Sequence, residues 1–84
     1  MKTNNSQLVD LASLEEGSSA EVVKILGGQG IHSRLESLGI YEGVRIKKIS
    51  KSPFRGPVII EVKNCKVAIG YGMAKKILVK KSSD

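Results

Sequence analysis

The chain has 84 residues, 40% of them hydrophobic and 26% charged, with a formal net charge of +6 at pH 7. That length holds one domain and leaves little room for both a core and a deep catalytic cleft. A single cysteine excludes an internal disulfide, and no apolar run is long enough for a signal-peptide core or a membrane span. These totals point to one cytoplasmic globular domain over residues 1–84, with polar tails at 1–7 and 81–84.

Along the chain, Leu8, Leu11 and Leu14 recur every third residue, which fits one helical turn or an anchored loop before Gly17. Ala20 to Leu26 (AEVVKIL) is rich in β-branched residues and closes on Gly27-Gly28, as a strand does. Ile31, Leu35 and Leu38 follow at i, i+4 and i+7, one face of a short helix. Gly39 stands where a helix-ending glycine belongs, with Ile40 placed for the accompanying apolar contact.

A turn at Glu42-Gly43 leads into a strand from Val44 to Lys51 (VRIKKISK). Its alternation slips at Lys47-Lys48, which predicts a β-bulge or a bend. Ser52 to Pro57 (SPFRGP) is a loop, and Val58 to Lys63 is a third strand. Asn64-Cys65 reads as a tight hairpin connection to a strand over Lys66 to Gly70. Tyr71 to Lys76 fits a turn, and Ile77 to Lys80 closes the domain as a fifth strand.

Five short strands with regular turn signals and no long crossover helix predict a mostly β fold. The expected architecture is a small SH3-like five-stranded barrel with one short helix inserted after the first strand. Barrel closure would leave no strand edge exposed.

Catalytic and metal chemistry find little support. His32 and Cys65 are the only histidine and cysteine, far apart in sequence, so no zinc-ligand spacing exists. Ser33 beside His32 does not face it on a helix, and no nucleophile-elbow motif is present. Gly27-Gly28-Gln29-Gly30 lacks the Lys-Ser/Thr of a phosphate loop, so its glycines serve a sharp strand-to-helix turn. No enzyme, catalytic residue, metal ligand or cofactor is expected.

Charge is the strongest surface signal. Residues 1–44 carry three basic and six acidic side chains, a balance of −3. Residues 45–84 carry eleven basic and two acidic, a balance of +9. Arg45, Lys47, Lys48, Lys51 and Arg55 gather in one strand and the loop after it, with Phe54 among them. This set is the expected partner-binding surface, for an acidic protein face or for nucleic acid. A single aromatic makes a poor stacking platform, so nucleic acid is the lesser reading.

The ordered motifs resemble the FeoA family. They run Leu11-x-x-Leu14-x-x-Gly17, then Gly28, then Arg34-Leu35-x-x-Leu38-Gly39-Ile40-x-x-Gly43. They continue through Ser52-Pro53-Phe54-Arg55-Gly56-Pro57, Val67-Ala68-Ile69 and Ala74-x-x-Ile77-x-Val79. The resemblance spans about Leu8 to Val79 and is carried by the order and spacing of all the pieces together. It implies an SH3-like barrel, no enzymatic activity and a cytosolic accessory role in bacterial ferrous iron uptake. The implied partner is the cytosolic GTP-binding domain of the FeoB membrane transporter, so any contact with the membrane runs through that partner. The family also carries an association with transition metals, although this chain shows no ligand set for one.

The same resemblance extends to FeoA-type regulatory domains of metalloregulators, and the charge alone allows a small nucleic-acid-binding barrel. Both stand as alternatives, and weak self-association through exposed strands is a further one. Two departures touch the loop and the strand end: Arg55 and Gly70 stand where the family often has a glycine and a basic residue. Arg34, Leu35, Leu38, Gly39, Gly43, Gly56, Pro57 and Ala74 carry structural roles, with Leu35 and Leu38 expected to plug the barrel mouth. Arg34 is expected to pair with Glu36, Glu42 or carbonyls near the helix end.

Overall fold

A computed structural model describes residues 8–51 and 56–82, with the backbone alone for Lys51. The strands are β1 (Leu8–Asp10), β2 (Ser19–Ile25), β3 (Arg45–Lys51), β4 (Val58–Val62), β5 (Cys65–Ile69) and β6 (Ile77–Lys81). Helix α1 (Gln29–Ser37) joins β2 to β3, and the single turn α2 (Tyr71–Ala74) joins β5 to β6. All strand pairs are antiparallel, in the order β1-β6-β2-β3-β4-β5. The fold is the expected small, mostly β, SH3-like one with one short inserted helix. It corrects the expectation in two respects: among the described residues there are six strands, and their sheet is not closed, so β1 and β5 are its edges. None of the described helices is long and apolar enough to cross a membrane.

The sixth strand comes from Leu8 to Asp10, expected as a helical turn or a loop. These residues pair with Lys80, Val79 and Leu78 of β6 instead. Propensity is decided by an available edge: Val9 faces the core while Leu8 stays exposed. The loop beyond turns inward, and Leu11 and Leu14 are buried. At the other end, Lys81 belongs to β6 rather than to a tail, and the Ser82 N–H donates to the Ser19 carbonyl at 2.8 Å.

The core is aliphatic, as the scarcity of aromatics requires. Alternate residues of β4 (Val58, Ile60, Val62) and of β3 (Ile46, following Val44) point into it, with Ala20, Val22, Ile69, Ile77 and Val79. Leu35 from α1 is fully covered by this cluster, and so is Ala74 from α2. Leu38 is not: it is the C-cap residue of α1 and remains 40% exposed, which corrects its role as a plug. Ile40 is buried in its place.

The end of α1 shows why. Gly39 has φ +89°, its N–H donates to Glu36 O at 2.9 Å, and the Ile40 N–H donates to Leu35 O at 2.9 Å. This is a Schellman ending, and it turns the chain so that Ile40 folds back toward Leu35 while Leu38 swings outward. Gly43, at φ +98°, then donates to Val22 O and starts the approach to β3.

The β4–β5 hairpin differs by one residue from the expectation. Lys63 and Asn64 have φ of 51° and 68°, and Val62 pairs with Cys65. Two positive-φ residues between paired strands make a type I′ turn, so the connection is Lys63-Asn64 and Cys65 already belongs to β5.

Candidate interaction surface

Strand β3 sorts the expected basic set by simple alternation. Arg45 and Lys47 point outward and are exposed, whereas Lys48 continues the inward row of Val44 and Ile46 and has no exposed surface. Its ammonium donates to the carbonyl oxygens of Leu11 at 3.0 Å and Ala12 at 2.9 Å. The main chain adds to the tie: the Gly17 N–H donates to Lys48 O at 2.7 Å, and the Lys48 N–H donates to Ser18 O at 2.9 Å. Lys48 is therefore a clasp on the β1–β2 connection, which corrects its place in the partner-binding set.

The expected bulge is present, one step further on. The β3–β4 register shifts between Lys48 and Ser50. The alternation is intact through Lys48; what broke the sequence pattern was a lysine at an inward position. The Lys51 side chain, Phe54 and Arg55 lie outside the described residues.

The outer face of the sheet is laid out in cross-strand rows. One row runs Ser19, Lys47, Glu61, Lys66, and the next runs Lys80, Glu21, Arg45. Ser19, Arg45, Lys47, Glu61, Lys63 and Asn64 line a shallow depression of about 240 Å³ here. Lys63 is held in place: its ammonium donates to the Tyr41 hydroxyl at 2.6 Å and lies 4.7 Å from the ring centroid. Lys63 and Asn64 were absent from the expected set. The two-residue gap between the inward rows ending at Val62 and starting at Cys65 marks them as the turn. The result is a surface with a basic excess interleaved with Glu21 and Glu61, not an unbroken cationic stripe.

A second depression, of about 530 Å³, lies beside α1 and is lined by Ile25, His32, Glu36, Tyr41 and Glu42. The His32 Nδ1 sits 3.0 Å from the Gly28 carbonyl, which makes it the donor nitrogen. Among the described residues no group of three His, Cys, Asp or Glu side chains is placed to hold a metal ion. Arg34 is exposed on α1, and among the described residues no ion pair joins it to Glu36 or Glu42; its carbonyl accepts from the Ser37 hydroxyl at 2.7 Å. Gly56 is half-buried and Pro57 exposed just before β4.

Comparison with known proteins gives this surface a context. The FeoA domain profile matches residues 9–81. A candidate Fe(2+) transport protein A of Methanocaldococcus jannaschii is 45% identical over 69 residues, which is 82% of each chain. A crystal structure of an iron uptake regulatory protein (FeoA) superposes with a TM-score of 0.83 at 34% identity, covering 90% of this chain and 99% of that one. A manganese-dependent transcriptional repressor gives a TM-score of 0.84 at 18% identity, covering 96% of this chain and 45% of the repressor, a likeness of fold alone. A profile matching nearly the whole chain and a relative this similar settle the family: the chain belongs to the FeoA family.

Proposed function

We propose that the chain is a non-enzymatic, cytoplasmic accessory protein of ferrous iron transport, acting by docking on the cytosolic part of a FeoB-type transporter. The observation that carries this reading is the 45% identity to a candidate Fe(2+) transport protein A over most of both chains. The outer face supports docking by charge: Arg45 and Lys47 are exposed on β3, and Lys63 is braced on Tyr41 beside them. Such a face favours an acidic partner surface and acts mainly on encounter rate and orientation. The interleaved Glu21 and Glu61 repel a phosphate backbone but can meet complementary cations on a patterned protein face.

The test is calorimetry of the chain with a FeoB-type transporter in nanodiscs, native against the triple reversal Arg45→Glu, Lys47→Glu, Lys63→Glu. Docking through this face predicts at least a roughly tenfold loss of affinity, about 1.4 kcal/mol. Equal affinity of the two chains moves the interface elsewhere, and no binding by the native chain removes the reading.

A further inference from the structure

The open sheet leaves β5 as an edge, and that edge is self-complementary. Val62 and Cys65 close a two-residue hairpin, so Cys65, Val67 and Ile69 turn their main-chain groups toward β4. Lys66 and Ala68, both exposed, turn their N–H and C=O groups outward, away from the sheet. We infer that a second copy of this chain pairs with β5 across a two-fold axis at Val67, continuing the sheet.

The register follows from the pattern of outward groups. Antiparallel pairing about Val67 sets Lys66 against Ala68 of the second copy, and Ala68 against its Lys66. Each of these is a hydrogen-bonded pair, so four main-chain bonds form, while Val67 meets its own copy in a non-hydrogen-bonded pair. A register displaced by one residue would bring together groups that point toward β4 and could make none of these bonds.

The side chains agree with this register on both faces. On the inner face, Ile60 of β4 stands opposite Val67, so pairing produces an aliphatic row Ile60–Val67–Val67–Ile60 across four strands. Val62 stands opposite Cys65 and Val58 opposite Ile69, so the adjoining row reads Val62–Cys65–Ile69–Val58. Exposed Cys65 and half-buried Val67 thereby gain apolar neighbours. On the outer face, each Lys66 lies across the small Ala68 rather than against another charge. Glu61, directly opposite Lys66 on β4, offsets its charge.

An edge of five residues makes a small interface, below the size of standard stable complexes, so the dimer is a weak one, dissociating at roughly 100 μM. Two chains of +6 also repel, so added salt tightens the pairing.

The test is register-specific cross-linking of the full chain in a Cys65→Ser background. Non-hydrogen-bonded partners lie about 4.5 Å apart at Cα, within disulfide reach. Val67→Cys is expected to oxidise to a covalent dimer at least about tenfold faster than Ala68→Cys, whose counterpart is Lys66 rather than itself. Equal rates at the two positions would overturn the register. Two further measurements do not depend on introduced thiols. Native chain in sedimentation should show a dimer that grows with concentration and with salt, and alkylation of Cys65 should slow as the dimer fills. Ala68→Pro deletes an outward N–H that β4 does not use and is expected to stay monomeric while keeping its fold. A native chain that remains monomeric at about 1 mM, or a proline variant that dimerises like the native chain, would contradict the inference.

Discussion

The ammonium of Lys48 lies 3.0 Å from the carbonyl oxygen of Leu11, 37 residues earlier in the chain, with no exposed surface on the lysine. It fastens the start of the loop after β1, at Leu11 and Ala12, onto β3, while the main-chain bonds of Lys48 hold the end of that loop at Gly17 and Ser18. Lys48→Met keeps the bulk and the flexible stem but leaves the Leu11 and Ala12 carbonyls without this donor. The Leu11 carbonyl keeps the Leu14 N–H at 3.3 Å, so Ala12 O is the acceptor that loses its donor, and urea unfolding should show a loss on the order of 1–3 kcal/mol. Lys47→Met, one residue away and exposed, should stay within about 0.5 kcal/mol. Equal effects of the two substitutions would refute the clasp.

Gly39 ends α1 at φ +89°, and the atom nearest a Cβ placed there is Val62 Cγ1 at 4.0 Å. Space is therefore available and the backbone conformation is the constraint. Gly39→Ala is expected to destabilise by about 1–2 kcal/mol, with Gly39→Asn recovering part of the loss because asparagine tolerates the left-handed region. Thermal unfolding of the three chains should rank them Gly, Asn, Ala. An alanine variant as stable as the native chain would show that the Schellman ending does not limit stability.

Lys63 and Tyr41 join the β4–β5 turn to the loop after α1 through a 2.6 Å hydrogen bond and a cation–ring contact. Both side chains are exposed, so the coupling is small. A double-mutant cycle of Tyr41→Ala and Lys63→Ala, read by chemical denaturation, should return about 0.5–1 kcal/mol. Strict additivity would mean that Lys63 is not braced and that its position beside Arg45 carries no preorganisation.

The parts of the fold written in local patterns were legible in the sequence. The alternation of Val58, Ile60 and Val62 gave β4, the i, i+4 spacing of Ile31 and Leu35 gave α1, and Gly39 gave its end. What was not legible depends on contacts distant in sequence. Leu8 to Asp10 is a strand because β6, some 70 positions later, offers an edge, and no local period reports that. Sheet closure is likewise a long-range property: six strands and α1 fit around the core without β1 meeting β5.

The candidate surface divides in the same way. Arg45 and Lys47 were recognisable as outward cations from the two-residue period. Lys48 was misread because lysine seldom occupies an inward position, and its carbonyl partners lie in another loop. Lys63 is not legible as a surface cation because Asn64-Cys65 reads as the turn, one residue beyond the Lys63-Asn64 pair that forms it.

Salt separates the two kinds of association. Docking through Arg45, Lys47 and Lys63 should weaken as ionic strength rises, whereas edge pairing of two like-charged chains should tighten. Following both in one salt series distinguishes partner docking from self-pairing without any substitution.

The most direct test of the proposed accessory role is titration of the native chain into a FeoB-type transporter in nanodiscs at low and high salt. Saturable binding with a dissociation constant in the micromolar range is expected, weakening several-fold between about 50 and 500 mM salt. Absence of binding at tens of micromolar chain, with and without guanine nucleotide, would contradict it.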